Sequence, residues 1–194
     1  MQATQPLAYQ IEVPLKHSKP PIWRRLLVAD DTTLEELHSL LQVAMGWEGD
    51  HLHRFVVSDH SYGPRRGYTR IEGVEDESRA RLRQVAPVER SRFLHEYDLG
   101  DGWEHDILVE KTVPRDPNRP LPACLKGARA CPPEDIGGIW GYEAFLEAFH
   151  DPNHPEHDTY ADWVDESFDR EEFDAEAATA GLRRMALAHQ PRRR

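Results

Sequence analysis

The sequence predicts an α+β fold with a β-grasp-like start: a hairpin, a helix, further antiparallel or mixed strands, and C-terminal helices packed on the sheet. Three observations predict it. Tyr9, Ile11, Val13 and Leu15 alternate with Gln10, Glu12 and Lys16, the period of a half-buried strand. Leu34, Leu37, Leu41, Ala44 and Met45 recur at the period of a helix buried along one face. Strand periods return after that helix and helical periods close the chain, an order that segregates strands from helices.

Each element has a local cause. Ser18 to Pro21 breaks the first strand, and Ile22 to Val28 reads as its return, which makes a hairpin. The helix opens on a capping-box pattern, Thr32 with Glu35 three residues on, and stops at Gly46. His51, His53, Phe55 and Val57 then alternate on one face of a strand. From 58 to 92 the pattern gives way to charge and to Gly63, Pro64, Gly67 and Gly73. That stretch reads as a long variable excursion with a short helix near 75–84.

Residues 92–99 and 103–111 read as strands flanking Gly100-Asp101-Gly102, because glycine supplies the positive φ of a tight hairpin. A turn over 100–102 sets Leu99 opposite Trp103 and Tyr97 opposite His105. Residues 114–138 hold too much proline and glycine for regular structure. Tyr142, Phe145, Leu146 and Phe149 mark a helix, a short one covers 156–164, and the last runs from an Asp174 cap to Ala188. The whole is one domain, 1–194, with its core over about 8–183 and a basic, disordered tail at 189–194.

Composition bounds the function. Net charge is −11, which disfavours non-specific nucleic-acid binding, although 64–70 and 192–194 are locally basic. No apolar run approaches the length of a membrane span and no secretory signal opens the chain, so a cytoplasmic location and no membrane partner are expected. Two cysteines do not make a disulfide framework.

The candidate site gathers around the stretch from Tyr97 to Lys111. Alternation turns Trp103 and His105 toward the core and crowds Asp98, Asp101 and Glu104 at the tip. Asp98, Asp101 and His105 read either as holders of a cation or polar ligand, or as turn-forming aspartates beside a core histidine. His51 and His53 project to one side of a strand, a spacing workable for joint metal ligation. His105 or a tip carboxylate would complete the set, so a divalent metal is the candidate cofactor. Cys124 and Cys131 lie too far apart in sequence for an ordinary zinc knuckle. They read as reduced thiols, or as a redox-sensitive disulfide closing a short loop. Glu134 and Asp135 ride on a segment stiffened by Pro132 and Pro133. The Gly137-Gly138 pair after them is no phosphate loop, since no Lys-Ser/Thr follows and no helix starts directly on it.

Several of these pieces coincide in order: YQIEVPLKHSKPPIWRRLLV, TTLEELHSLLQVAMGWEGDHLHRF, YDLGDGWEHDI, CLKGARACPPEDIGGIWGYEAFLEAF and FDREEFD. Together they resemble the plasmid pRiA4b ORF-3-like family over about Tyr9 to Leu182. The resemblance implies a compact α+β fold, a mobile-element passenger context and no particular reaction. It maps recurring polar positions onto His51, His53, Asp98, Asp101, His105, Cys124, Arg129, Cys131, Glu134 and Asp135. His95, Leu99, Arg170 and Thr179 depart from the pattern, and His95 is not counted as a site residue. A resolvase-like label attached to some relatives does not fit, because no arginine-flanked nucleophilic serine and no basic DNA-binding helix is found.

Three functions stay open. The first is a binding or regulatory module for a protein or small-molecule partner. The second is a metal-dependent, hydrolase-like enzyme using His51, His53 and His105 with nearby carboxylates. The third is a set of polar residues that only satisfy one another.

Overall fold

In the computed structural model, which describes residues 5–65, 71–161, 164 and 168–188, the opening hairpin forms as expected. β1 (Leu7–Pro14) and β2 (Trp23–Ala29) pair antiparallel, with Ile11 opposite Leu26. α1 (Leu34–Met45) follows. Its capping box sits one residue later than expected. The Thr33 hydroxyl accepts from the Glu36 amide, and the Glu36 carboxylate accepts from the Thr33 amide. Thr32 is not the cap. Gly46 ends the helix in the left-handed region (φ 91°), where a side chain would be strained.

Two hairpins extend the sheet. β3 (His53–Val57) pairs with β4 (His60–Gly63), and β6 (Arg92–Tyr97) pairs with β7 (Trp103–Pro114). β5 (Glu75–Asp76) adds a short parallel edge on β4. β8 (Ala123–Ala128) closes the other edge on β2, inside a stretch whose prolines and glycines read as irregular. The eight strands lie in the order β5-β4-β3-β6-β7-β1-β2-β8.

The described residues of 58–92, 58–65 and 71–92, carry more regular structure than their charge pattern suggests. They supply β4, β5 and the one-turn α2 (Leu82–Val85), and they bury Glu77, Ala80, Leu82 and Ala86. The helix expected over 75–84 is a strand followed by that single turn. Few but fully buried apolar residues anchor it, so no long period is visible in the sequence.

α3 (Gly138–His150), α4 (His157–Ala161) and α5 (Ala175–Ala188) complete the chain, with Asp174 capping α5. The glycine pair does start a helix: α3 begins on Gly138. α5 packs on β8 and α1 and buries Leu182 completely. No helix among the described residues is long and apolar enough to cross a membrane. The expected tail at 189–194 lies outside the described residues.

Two polar contacts tie these layers together. Arg24 stands on the inward face of β2, in line with Ile22, Leu26 and Val28, and is almost fully buried. Its Nε donates to the Ala44 carbonyl (2.8 Å) in the last turn of α1, where helix carbonyls lack intrahelical partners. Its Nη1 donates to both the Trp23 and the Ala128 carbonyls, its Nη2 reaches Cys131 Sγ (3.7 Å), and the guanidinium lies over the Phe173 ring. Burial lowers its pKa. At the β8 edge, the Thr179 hydroxyl accepts from the Cys124 amide (2.9 Å) and donates to its carbonyl (3.1 Å), which blocks an exposed strand edge. Thr179→Val leaves both backbone groups unpartnered. It should cost about 1–3 kcal/mol and lower the melting temperature by several degrees, measured by thermal denaturation.

Candidate functional site

The β6–β7 turn is longer than expected. Tyr97 faces Trp103 and His95 faces His105, so residues 98–102 all belong to the turn, and Leu99 does not oppose Trp103. Asp98 explains the difference. Its carboxylate accepts from the Gly100 and Asp101 amides, its carbonyl accepts from the Gly102 amide, and its own φ is +48°. An aspartate that mimics a backbone turn lengthens the loop. The shift is two residues, so the paired strand residues keep their predicted faces, while Leu99 leaves the strand and is exposed.

Three segments meet at this tip: 47–51 after α1, the 98–102 turn, and 132–138 before α3. Trp47 Nε1 donates to the Pro132 carbonyl (2.9 Å). The Tyr97 hydroxyl donates to Glu134, whose second oxygen accepts from the Glu48 amide (2.6 Å). The Gly49 and His51 backbone hydrogen-bonds to the Tyr97 oxygen, and burial raises the tyrosine's pKa, with Glu134 adding to the rise. Asp101 accepts from the Gly137 amide (3.0 Å). Gly138 has φ +68°, and an added Cβ would sit 2.2 Å from the Asp101 carbonyl oxygen, so glycine is required there.

These bonds sort the candidate carboxylates. Glu134 and Asp101 are committed to holding loops. Asp98 holds its own turn through Oδ1 and turns Oδ2 to His51 Nδ1 (3.8 Å), and Asp135 lies 3.2 Å from His51 Nε2. Asp135, like Asp98, has a left-handed backbone (φ +59°), strain of a kind that clusters at functional sites. One nitrogen of His51 and one oxygen from each aspartate lie within 4.8 Å of one another, the only such group of three or more His, Cys, Asp or Glu among the described residues.

The expected histidine trio is not brought together. His51 lies before β3, not on it, so the pair does not share a strand face. His53 is buried and turned to Glu77 (2.9 Å). His105 is fully buried, with its Nδ1 3.5 Å from His95 Nδ1. Both belong to a polar seam under α1 that the sequence reading did not assemble. His95 Nε2 lies 3.1 Å from His38 Nδ1, Gln42 approaches the same nitrogen, and His38 stacks on His53 with ring centroids 3.3 Å apart. Each nitrogen pair needs one donor and one acceptor, so neutral rings of matched tautomer satisfy those pairs, while His105 Nε2 and His53 Nδ1 are buried with no hydrogen-bond partner among the described residues. The available signals are His38 at a core position of the α1 period and His95 on the same strand face as Phe93 and Tyr97; Glu77 gives none.

The remaining candidates are structural in placement. Arg129 (φ +71°) donates to the Pro21 carbonyl and pairs with Glu171. Cys124 and Cys131 are free thiols, not a disulfide. Burial pushes Cys131 up to about 11 and raises Cys124 as well, with the Arg24 guanidinium opposing both shifts.

The geometry defines a class: a single-sheet α+β protein with a His/Asp/Asp cluster at a hairpin tip. The chain belongs to the family described as plasmid pRiA4b ORF-3-like protein, whose pattern matches residues 7–177. It is 37% identical over 171 residues to the uncharacterized protein y4hQ of Sinorhizobium fredii, covering 87% of this chain and 84% of that one. Its fold is similar to the crystal structure of MM3350, a protein of unknown function from Methanosarcina mazei Go1. That match has a TM-score of 0.78 and 32% identity, and covers 90% of this chain and 97% of the other.

The seam makes stability pH-dependent. Burial holds His38 at about 2 and His105 at about 3, and His95 well below its ordinary value, with neighbouring charges adding to each shift. The unfolded chain therefore binds more protons than the folded one below about pH 6.5. Each histidine costs up to about 1.4 kcal/mol per pH unit there, so three cost about 4. Urea unfolding at pH 7, 6 and 5 should show stability present above pH 6.5 and falling steeply below it. A flat profile would remove the neutral seam from the account.

Proposed function

We propose that this protein is a binding module built around a divalent cation held by His51, Asp98 and Asp135. The observation that carries the reading is the convergence of those three donors within 4.8 Å, while neighbouring Asp101 and Glu134 are occupied elsewhere. Nitrogen and oxygen ligands bind zinc at about 2.0–2.2 Å, so donors of a common ion stand at most about 4.4 Å apart. One donor atom from each of the three residues lies within 4.8 Å of the others, slightly wider than that. The imidazole now lies between the carboxylates, one nitrogen toward each, so binding requires the carboxylates to gather on one of them. One nitrogen and two oxygens suit zinc or manganese and leave positions for an exogenous ligand.

A hydrolase-like enzyme is the second reading, because an open position accepts water. Two clefts of the structure meet at Glu35, one lined by Asp31, Arg81 and Met185 and the other by Asp76, Glu77 and Arg79. The mobile-element context implied by the family resemblance adds a setting for such a module, not a mechanism.

The test is elemental mass spectrometry on untagged protein, followed by calorimetric titration with zinc and manganese. One ion per chain is expected, with affinity reduced at least tenfold in His51→Ala and in Asp135→Asn. No uptake of either ion by the wild type would leave His51 as a polar bridge between two aspartates.

A further inference from the structure

We propose that the cleft between α1, α5 and the chain leading into β8 binds a free α-amino acid with a large apolar side chain. The cleft measures about 530 Å³, which falls within the roughly 300–1,000 Å³ of small-ligand sites. His51, Asp98 and Asp135 take no part in its lining, so the proposal does not rest on the cation and goes beyond that reading.

The charged groups of the cleft carry both signs and gather in one place. Asp31 lies just before α1, and Glu35 and Glu36 lie in its first turn. Arg81 joins them through a backbone bridge to Thr33, and its Nη1 donates to the Asp31 carbonyl (2.5 Å). Arg115 Nη1 lies 3.9 Å from the Asp31 carboxylate. Existing bonds leave part of this set available. The Glu36 carboxylate closes the capping box on Thr33, whereas the Glu35 carboxylate has no partner among the described residues. Arg81 commits only Nη1, and the long contact of Arg115 joins two half-exposed side chains.

Charge and shape together select the occupant. Leu40, one helical turn beyond Glu36, continues the lining, and Leu121, Pro122 and Met185 add to its apolar part. A ligand that matches has an ammonium and a carboxylate on one carbon and an apolar chain leading away from it. A plain anion would meet Asp31, Glu35 and Glu36, and a plain cation would meet two guanidinium groups. The fork of Arg115 suits a carboxylate, and the free oxygens of Glu35 accept from an ammonium. In a peptide the two charges stand apart, which fits clustered groups less well. Alanine would leave the apolar lining uncovered, so the side chain is of the size of leucine or phenylalanine.

The probes are leucine and phenylalanine, titrated by calorimetry into the full chain in the presence of a chelator, so that ion uptake plays no part. Three controls each lack one feature: 3-phenylpropionate the ammonium, phenethylamine the carboxylate, and alanine the large side chain. Saturable binding of one molecule per chain is expected for leucine or phenylalanine, at least tenfold tighter than for any control. Glu35→Gln should remove most of the preference over 3-phenylpropionate, and Arg115→Gln most of the preference over phenethylamine. Both side chains are exposed, so both variants should keep the wild-type melting temperature, which is measured alongside. No saturable binding of either amino acid, or binding unchanged in both variants, would overturn the proposal. Binding of 3-phenylpropionate or phenethylamine as tight as phenylalanine would overturn it too, by assigning the cleft to a ligand of single charge.

Discussion

A buried phenol has to satisfy its oxygen, and in this protein the hydroxyl of Tyr97 does so by joining three chain segments. It donates to Glu134 and lies against the backbone of Gly49 and His51, while its ring packs on Trp47 (5.2 Å between centroids). Leaving such a group unpaired costs about 1–3 kcal/mol, so the segments are held where the oxygen is. The loop after α1 and the loop before α3 are more than eighty residues apart in sequence, and this contact brings them to one hairpin tip. Trp47 on Pro132 and Asp101 on Gly137 brace the same junction. His51 and Asp135 meet because their loops are already fixed.

The same tyrosine touches the interior. Its ring lies 5.9 Å from His38 and 5.8 Å from His51, so it stands between the buried histidine seam and the surface cluster. The two histidine groups answer to different physics. His38, His95 and His105 are kept neutral by burial and join α1 to the sheet through nitrogen-to-nitrogen contacts. His51 is partly exposed and lies between two carboxylates. Arg24 completes the interior by placing a cation on the Ala44 carbonyl in the last turn of α1, which has no basic residue of its own there.

Much of this was legible from local pattern. Alternation gave the first hairpin, helical period gave α1 and α3, and Asp174 marked the start of α5. Residue type and spacing single out Asp98, Asp135 and His51, but they set His51 beside His53, which the structure turns to Glu77. What escaped was set by long-range contacts. The two-residue shift at the β6–β7 turn came from one aspartate folding onto its own backbone. Glu77 reads as one more surface acid until His53 is placed against it. Arg24 breaks an apolar alternation and looks solvent-facing until α1 is laid over it. Tyr97 was placed on the inward face, but its role depends on loops that only the tertiary fold assembles.

The most direct test of this account is amide hydrogen exchange, followed by NMR, in Tyr97→Phe. The change removes one oxygen and keeps the ring. The account predicts at least tenfold faster exchange at Glu48, Gly49 and His51, with little change in the central strands β1 and β7. Unchanged protection at those three amides would contradict it, because the loops would then be held together without the phenol.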